Sequence, residues 1–97
     1  MNKMRPIHAG EILREEFLVP LGLSASALAL EFKVPAPRIN DIVRERRAVT
    51  PDTALRLSRY FGTSPEFWMD LQTAFDLKTA ARDSGERIEA EISPRAA

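Results

Sequence analysis

Arg38, Asn40, Asp41, Arg44, Arg46 and Arg47 crowd into a stretch of ten residues. An arginine guanidinium can pair bidentately with guanine, an asparagine amide can address adenine, and an aspartate can accept from the amino group of cytosine. Arg44, Arg46 and Arg47 are better suited to phosphates, where charge matters more than identity. Such a set works by hydrogen bonding and ion pairing, with no covalent step. Individual members have rival roles: Arg44 can pair with Asp41 on its own helix. Ser24, Ser26, Thr50 and Thr53 could add neutral phosphate contacts, but Ser24 and Thr50 stand where helices begin, and capping is the role their positions favour.

Side chains reach base edges only from a rigid element, and residues 28–47, LALEFKVPAPRINDIVRERR, supply one. Leu28 and Phe32 are four apart and Ile39 and Ile42 three apart, so each pair lies on one helical face. Ala29 is small enough to let two helices cross closely. Pro35-Ala36-Pro37 cannot be helix interior, yet proline suits a first turn, so a second helix runs from Ala36 to about Arg44. Arg38, Asn40, Asp41 and Arg44 then share its outward face. Two short helices meeting in this way form a helix-turn-helix, whose second helix enters the major groove.

The rest of the chain reads as helices that support this pair. A first helix begins near His8 to Gly10, with Leu13 and Phe17 on one face and Glu11 in its first turn; Pro20 and Gly22 end it. Thr50-Pro51-Asp52 starts a fourth helix, which carries Ala54, Leu57, Ser58 and Phe61 and ends at Gly62. Ser64-Pro65-Glu66 starts a fifth. There Trp68, Leu71 and Phe75 make one face, and Phe67, Met69, Ala74 and Leu77 broaden it beyond a core-facing arc. The excess suits a second copy, with Phe67, Trp68, Leu71, Ala74 and Phe75 as the expected dimer interface; the plainer role is closing a small core. The fold class is thus all-α, a five-helix domain over residues 1–82. Residues 83–97 read as an acidic tail, weakly ordered in isolation, with room for one further helical turn.

Composition sets the outer bounds. Ninety-seven residues make one domain. The formal charge is zero, yet residues 33–59 hold seven Lys/Arg against three Asp/Glu, while both flanks are acidic. A basic middle fits a local DNA-facing patch. Without cysteine there is no disulfide frame or thiol chemistry. The single histidine, His8, suits a helix start better than catalysis, and no Gly-rich phosphate loop or metal-ligand spacing appears. The expectation is a non-enzymatic, cofactor-free protein, cytoplasmic and without a membrane span.

The segments HAGEILREEFL, RINDIV, RRAVTPDTALRLSRYFGTSPEFW and LQTAFDL carry more than a generic helix-turn-helix pattern. From Arg5 to about Leu77 the chain closely resembles the HigA (VapI-type) antitoxins of the Xre/Cro-like (lambda repressor-like) class. The resemblance implies a dimeric DNA-binding antitoxin encoded beside a HigB-type, RelE-like ribonuclease, which it silences. It also implies repression of the shared operon at a palindrome, since a two-fold dimer sets its reading helices about 34 Å apart. Carried onto this chain, the reading helix turns Ala36, Pro37, Arg38, Asn40 and Asp41 toward the groove, with Ala36 and Pro37 able to touch a thymine methyl. Three positions depart from the family pattern: Lys33 replaces the usual turn glycine and could add a phosphate contact, Leu30 replaces a polar residue, and Glu45 replaces glycine or asparagine. For toxin capture, the acidic run Asp83, Glu86, Glu89, Glu91 and a solvated tail are equally good readings. A stand-alone repressor without a toxin is the alternative function, and a module binding an acidic protein surface is a third.

Overall fold

The computed structural model describes residues 5–96, so the polar arm expected at the N-terminus lies outside them except for Arg5. Arg5 makes two 2.8 Å hydrogen bonds to the carboxylate of Glu11. Five helices account for the regular structure among the described residues. Helix α1 spans Ala9–Ile12, Leu13–Leu18 and Val19–Leu21 without a break, its middle portion wound as a π-helix. Helices α2 (Ala25–Phe32), α3 (Ala36–Val43), α4 (Pro51–Phe61) and α5 (Pro65–Glu91) follow.

Most helix starts follow the residues expected to make them. The hydroxyls of Ser24 and Ser64 accept from Ala27 N at 3.0 Å and Phe67 N at 3.1 Å. Thr50 departs from expectation: it holds the cap position of α4, but its hydroxyl makes no cap bond and faces the Thr53 hydroxyl at 3.5 Å. Pro51 follows it, and its fixed φ and missing N–H already suit a first helical position. Pro20, expected to end α1 together with Gly22, instead lies inside it. The π-winding just before Pro20 loosens the ladder where a proline leaves a carbonyl without its usual donor. The stop is Gly22 alone, left-handed at φ 61°.

The core is one cluster. Leu13, Leu28, Ile39, Ile42, Leu57 and Trp68 have no solvent exposure, each aliphatic side chain contributing roughly 1.5–3 kcal/mol. Trp68 sits at its centre, its ring 5.1 Å from Phe17 and its indole N–H donating to Thr63 Oγ1 at 2.7 Å. Gly10 marks a close crossing: a Cβ there would overlap the Ile42 carbonyl oxygen, so α1 lies on the C-terminal end of α3 only because position 10 has no side chain.

Helix α5 is far longer than expected. It has 27 residues, or about 40 Å of helix at 1.5 Å per residue, and the molecule measures 52 × 24 × 21 Å. The segment expected as a tail from residue 83 is helical to Glu91, and residues 92–96 leave the helix. Ala, Glu, Lys and Arg dominate residues 78–91, and all four are strong helix formers; acidity alone was a poor guide to disorder there. No helix among the described residues is long and apolar enough to cross a membrane.

His8 starts α1 as a side-chain cap. Its Nδ1 accepts from Gly10 N at 2.8 Å, which requires the neutral ring with the proton on Nε2, and Phe75 of α5 meets it edge-on at 4.8 Å. Burial pushes its pKa below the ordinary 6.5, against the opposing pull of Glu45 and Asp76. A depressed folded value means that this stabilisation is complete above pH 6.5 and is lost as pH falls through the folded pKa. Chemical denaturation from about pH 7.5 down to about pH 4.5, across the range in which an ordinary histidine titrates, is expected to show that loss. His8→Asn, which caps without titrating in this range, flattens it; an unchanged slope in the variant would remove His8 as the cause.

Candidate nucleic-acid interface

Helices α2 and α3 cross where Ala29 is 1% exposed, with Leu28 and Phe32 on one side and Ile39 and Ile42 on the other, all buried. The turn between them is made by Lys33, left-handed at φ 60° and ψ 41°, as its place in the family's glycine position implies. Val34 N then donates to Ala29 O at 3.1 Å and closes the end of α2. Pro35 occupies the cap of α3 and Pro37 its first turn. The end of α3 repeats this device. Glu45 is left-handed at φ 62°, and Arg46 N donates to Asp41 O at 2.8 Å. Both of these departures from glycine or asparagine thus fall on turns that need positive φ.

The outward side of α3 carries the expected residues, though several are engaged within the chain. Pro37 is exposed and Ala36 half-buried, while Lys33, Arg44, Arg46 and Arg47 are exposed. Arg38 Nη1 donates to Asp52 Oδ2 at 2.6 Å. Asn40 turns back toward α2, its amide donating to Ser26 Oγ at 3.2 Å and to Ala36 O at 3.0 Å. Asp41 pairs with Arg47 at 3.7 Å, whereas sequence offered Arg44 as its partner, because the Glu45 turn swings Arg47 back over the helix. Leu30 is 75% exposed.

Arg14, Arg56 and Gln72, which sequence reasoning left out, hold this surface in place together with Asp52, which it read only as part of a helix start. Asp52 Oδ2 also accepts from Arg56 Nε at 2.9 Å, and Arg56 Nη1 donates to Phe32 O at the end of α2 at 2.6 Å. The guanidiniums of Arg56 and Arg38 hold the Asp52 carboxyl below its ordinary range. Gln72, buried on α5, accepts from Val49 N at 2.9 Å and donates to Asp76 Oδ1 at 3.0 Å, tying the segment after α3 to the core. Arg14 on α1 donates to Val43 O and reaches Glu45 at 3.5 Å. The available signals were the Asp52-Arg56 spacing of four and one polar residue four after Trp68.

Of the residues expected at a dimer interface, Trp68 lies wholly inside its own domain and has no surface to offer a second copy. Its ring packs against Phe17 of α1, and its indole N–H is taken up by Thr63. Leu71 and Phe75 are half-buried, while Phe67 and Ala74 are exposed.

Comparison with known proteins agrees with this geometry. The helix-turn-helix family model matches residues 13–68. Virulence-associated protein I of Dichelobacter nodosus is 60% identical over 82 residues, covering 84% of this chain and 76% of that protein. The solved structure of Pseudomonas aeruginosa antitoxin HigA with the higBA promoter is 54% identical, with a TM-score of 0.91, over 95% of this chain and 100% of that one. The chain belongs to the HigA antitoxin family. The antitoxin GraA, solved in complex with its operator, is 52% identical with a TM-score of 0.91, over 100% of this chain and 98% of that one. This HigA-family member is therefore an all-helical, non-enzymatic helix-turn-helix protein.

Its two left-handed turns at residues with a Cβ carry a cost that glycine avoids. Lys33→Gly is expected to raise stability by about 0.5–1 kcal/mol in urea unfolding with the slope unchanged. A loss of stability would show that the Lys33 side chain contributes more than its backbone strain costs.

Proposed function

We propose that this chain is the antitoxin of a toxin–antitoxin pair, that it represses its own operon by laying α3 in the major groove of operator DNA, and that it neutralises a HigB/RelE-like ribonuclease. The observation that carries the DNA reading is the outward front of α3, with exposed Pro37 and half-buried Arg38 at its first turn and exposed Arg44, Arg46 and Arg47 past its end. It lies on a frame that matches antitoxins solved with a promoter and with an operator. Arg38 is the expected base reader; Lys33, Arg44, Arg46 and Arg47 are the expected phosphate contacts, and Asn40 and Asp41 reach the groove by exchanging their internal partners for bases.

Two copies acting together fit α5. Phe67, Ala74, Leu77, Ala81, Gly85 and Ile88 recur at helical spacing along one stripe, and Leu77 and Ile88 are exposed. The small residues in that stripe let a second helix approach closely. Relative to the sequence-based interface, this dimer surface keeps Phe67 and Ala74, drops Trp68, Leu71 and Phe75, and extends toward the C-terminus. A palindromic operator follows from two-fold symmetry. For the toxin, Asp83, Glu86, Glu89 and Glu91 on the distal part of α5 offer a basic enzyme an acidic surface.

Gel-shift titration on the promoter region of the chain's own operon tests the DNA reading. Arg38→Ala is expected to weaken specific binding by roughly 1–3 kcal/mol, about 5–150-fold, and to relax preference at one base pair. Arg47→Ala weakens all sequences alike and lowers the salt slope by about 1. No retardation by folded wild type at moderate salt would sink the repressor reading.

The dimer surface is tested separately. Sedimentation of Leu77→Glu with Ile88→Glu is expected to give a monomer of unchanged helicity. A variant that still sediments as the wild-type dimer would move the interface off this stripe.

A further inference from the structure

Asp52 is an odd residue to find on a surface meant for a polyanion. Its carboxylate is 57% exposed and stands beside the first turn of α3, where a negative charge opposes phosphate. Exposed ion pairs contribute little to stability, so folding alone gives this one slight justification. Its geometry is more specific. One oxygen, Oδ2, accepts from Arg38 Nη1 at 2.6 Å and from Arg56 Nε at 2.9 Å, and Arg56 in turn donates to the Phe32 carbonyl at 2.6 Å. The guanidinium of Arg38 is thereby braced, through Asp52 and Arg56, to the backbone end of α2. The reading helix and the helix that positions it are joined by side chains as well as by their packed faces.

We propose that Asp52 is a specificity-determining positioning residue: it holds Arg38 in line for a base edge and withholds it from phosphate. This rests on the operator-binding reading above. A loose arginine has a long, freely rotating stem and satisfies itself on the nearest phosphate, a contact that every sequence offers equally. Fixed at one corner by Asp52, the same guanidinium keeps its remaining donors in one orientation. Asp52 neutralises part of the local positive charge as well, which lowers affinity for DNA of any sequence. The carboxylate therefore weakens total binding and sharpens discrimination.

The test compares wild type, Asp52→Asn and Asp52→Glu on the chain's own promoter duplex and on a scrambled duplex, across a salt series, with circular dichroism to confirm folding. Asp52→Asn is expected to bind scrambled DNA several-fold more tightly, with a salt slope steeper by about 1. The ratio of specific to non-specific affinity falls about tenfold. Asp52→Glu, which keeps the charge, restores much of the ratio. In an Arg38→Ala background Asp52→Asn leaves the ratio unmoved, because the effect runs through Arg38. A role confined to the start of α4 would change thermal stability and leave the ratio and slope alone. If wild type discriminates and Asp52→Asn discriminates equally well, the inference fails and the repressor reading stands. If wild type does not prefer its own promoter, both fall.

Discussion

The seat of α3 on α1 is the contact on which the rest of this small domain depends. The last carbonyls of a helix have no donor within it; here the turn's own N–H groups close on those of Asn40, Asp41 and Ile42, and α1 supplies the donor for Val43. Gly10 lies so close to the Ile42 carbonyl that no side chain fits between them, and Arg14 donates to the carbonyl of Val43. Glu45 then turns the chain left-handed and reaches back to Arg14. With its C-terminal end fixed in this way, α3 has one orientation, and Ile39 and Ile42 can be fully buried. The outward residues are displayed because the inward ones cannot move.

The same logic extends to the segment after α3. Residues 44–50 have no regular structure, and left loose they would hold Arg46 and Arg47 in no defined position. Gln72 prevents that by accepting from Val49 N inside the core, where an unpaired amide would cost about 1–3 kcal/mol. Val49 is itself buried. A single amide side chain on α5 thus transmits the position of the core to the basic segment, and Asp76 fixes the orientation of that amide.

Much of this was legible in the residues. Spacing alone revealed the α2–α3 pair, the small residue at its crossing, the serine caps and the proline starts, because these depend on neighbours within a turn or two. Where sequence reasoning missed, the cause lay across the fold or in a competition between local signals. Pro20 is accommodated by a π-segment that no periodicity announces. Trp68 looked like interface because an apolar stripe does not say which of two surfaces it meets, and the domain's own core claims it. Residues 83–91 were judged by charge when helix propensity and continuity with α5 decide. The roles of Asp52 and Gln72 were passed over because each acts on a residue more than a dozen positions away.

The charge pattern gains its meaning only in three dimensions. The basic segment 33–59 contains three acids, and every one of them holds an arginine: Asp41 with Arg47, Glu45 with Arg14, and Asp52 with Arg38 and Arg56. Pairs this exposed add little to stability, so stability does not account for their arrangement. What they do is direct the arginines. A chain of zero net charge has no bulk field with which to collect on nucleic acid, and the attraction it does have is local and falls off within a Debye length, about 8 Å at physiological salt. For such a protein the orientation of a few guanidiniums matters more than their number. The acids that dilute the charge of this segment are also the groups that hold arginines in place.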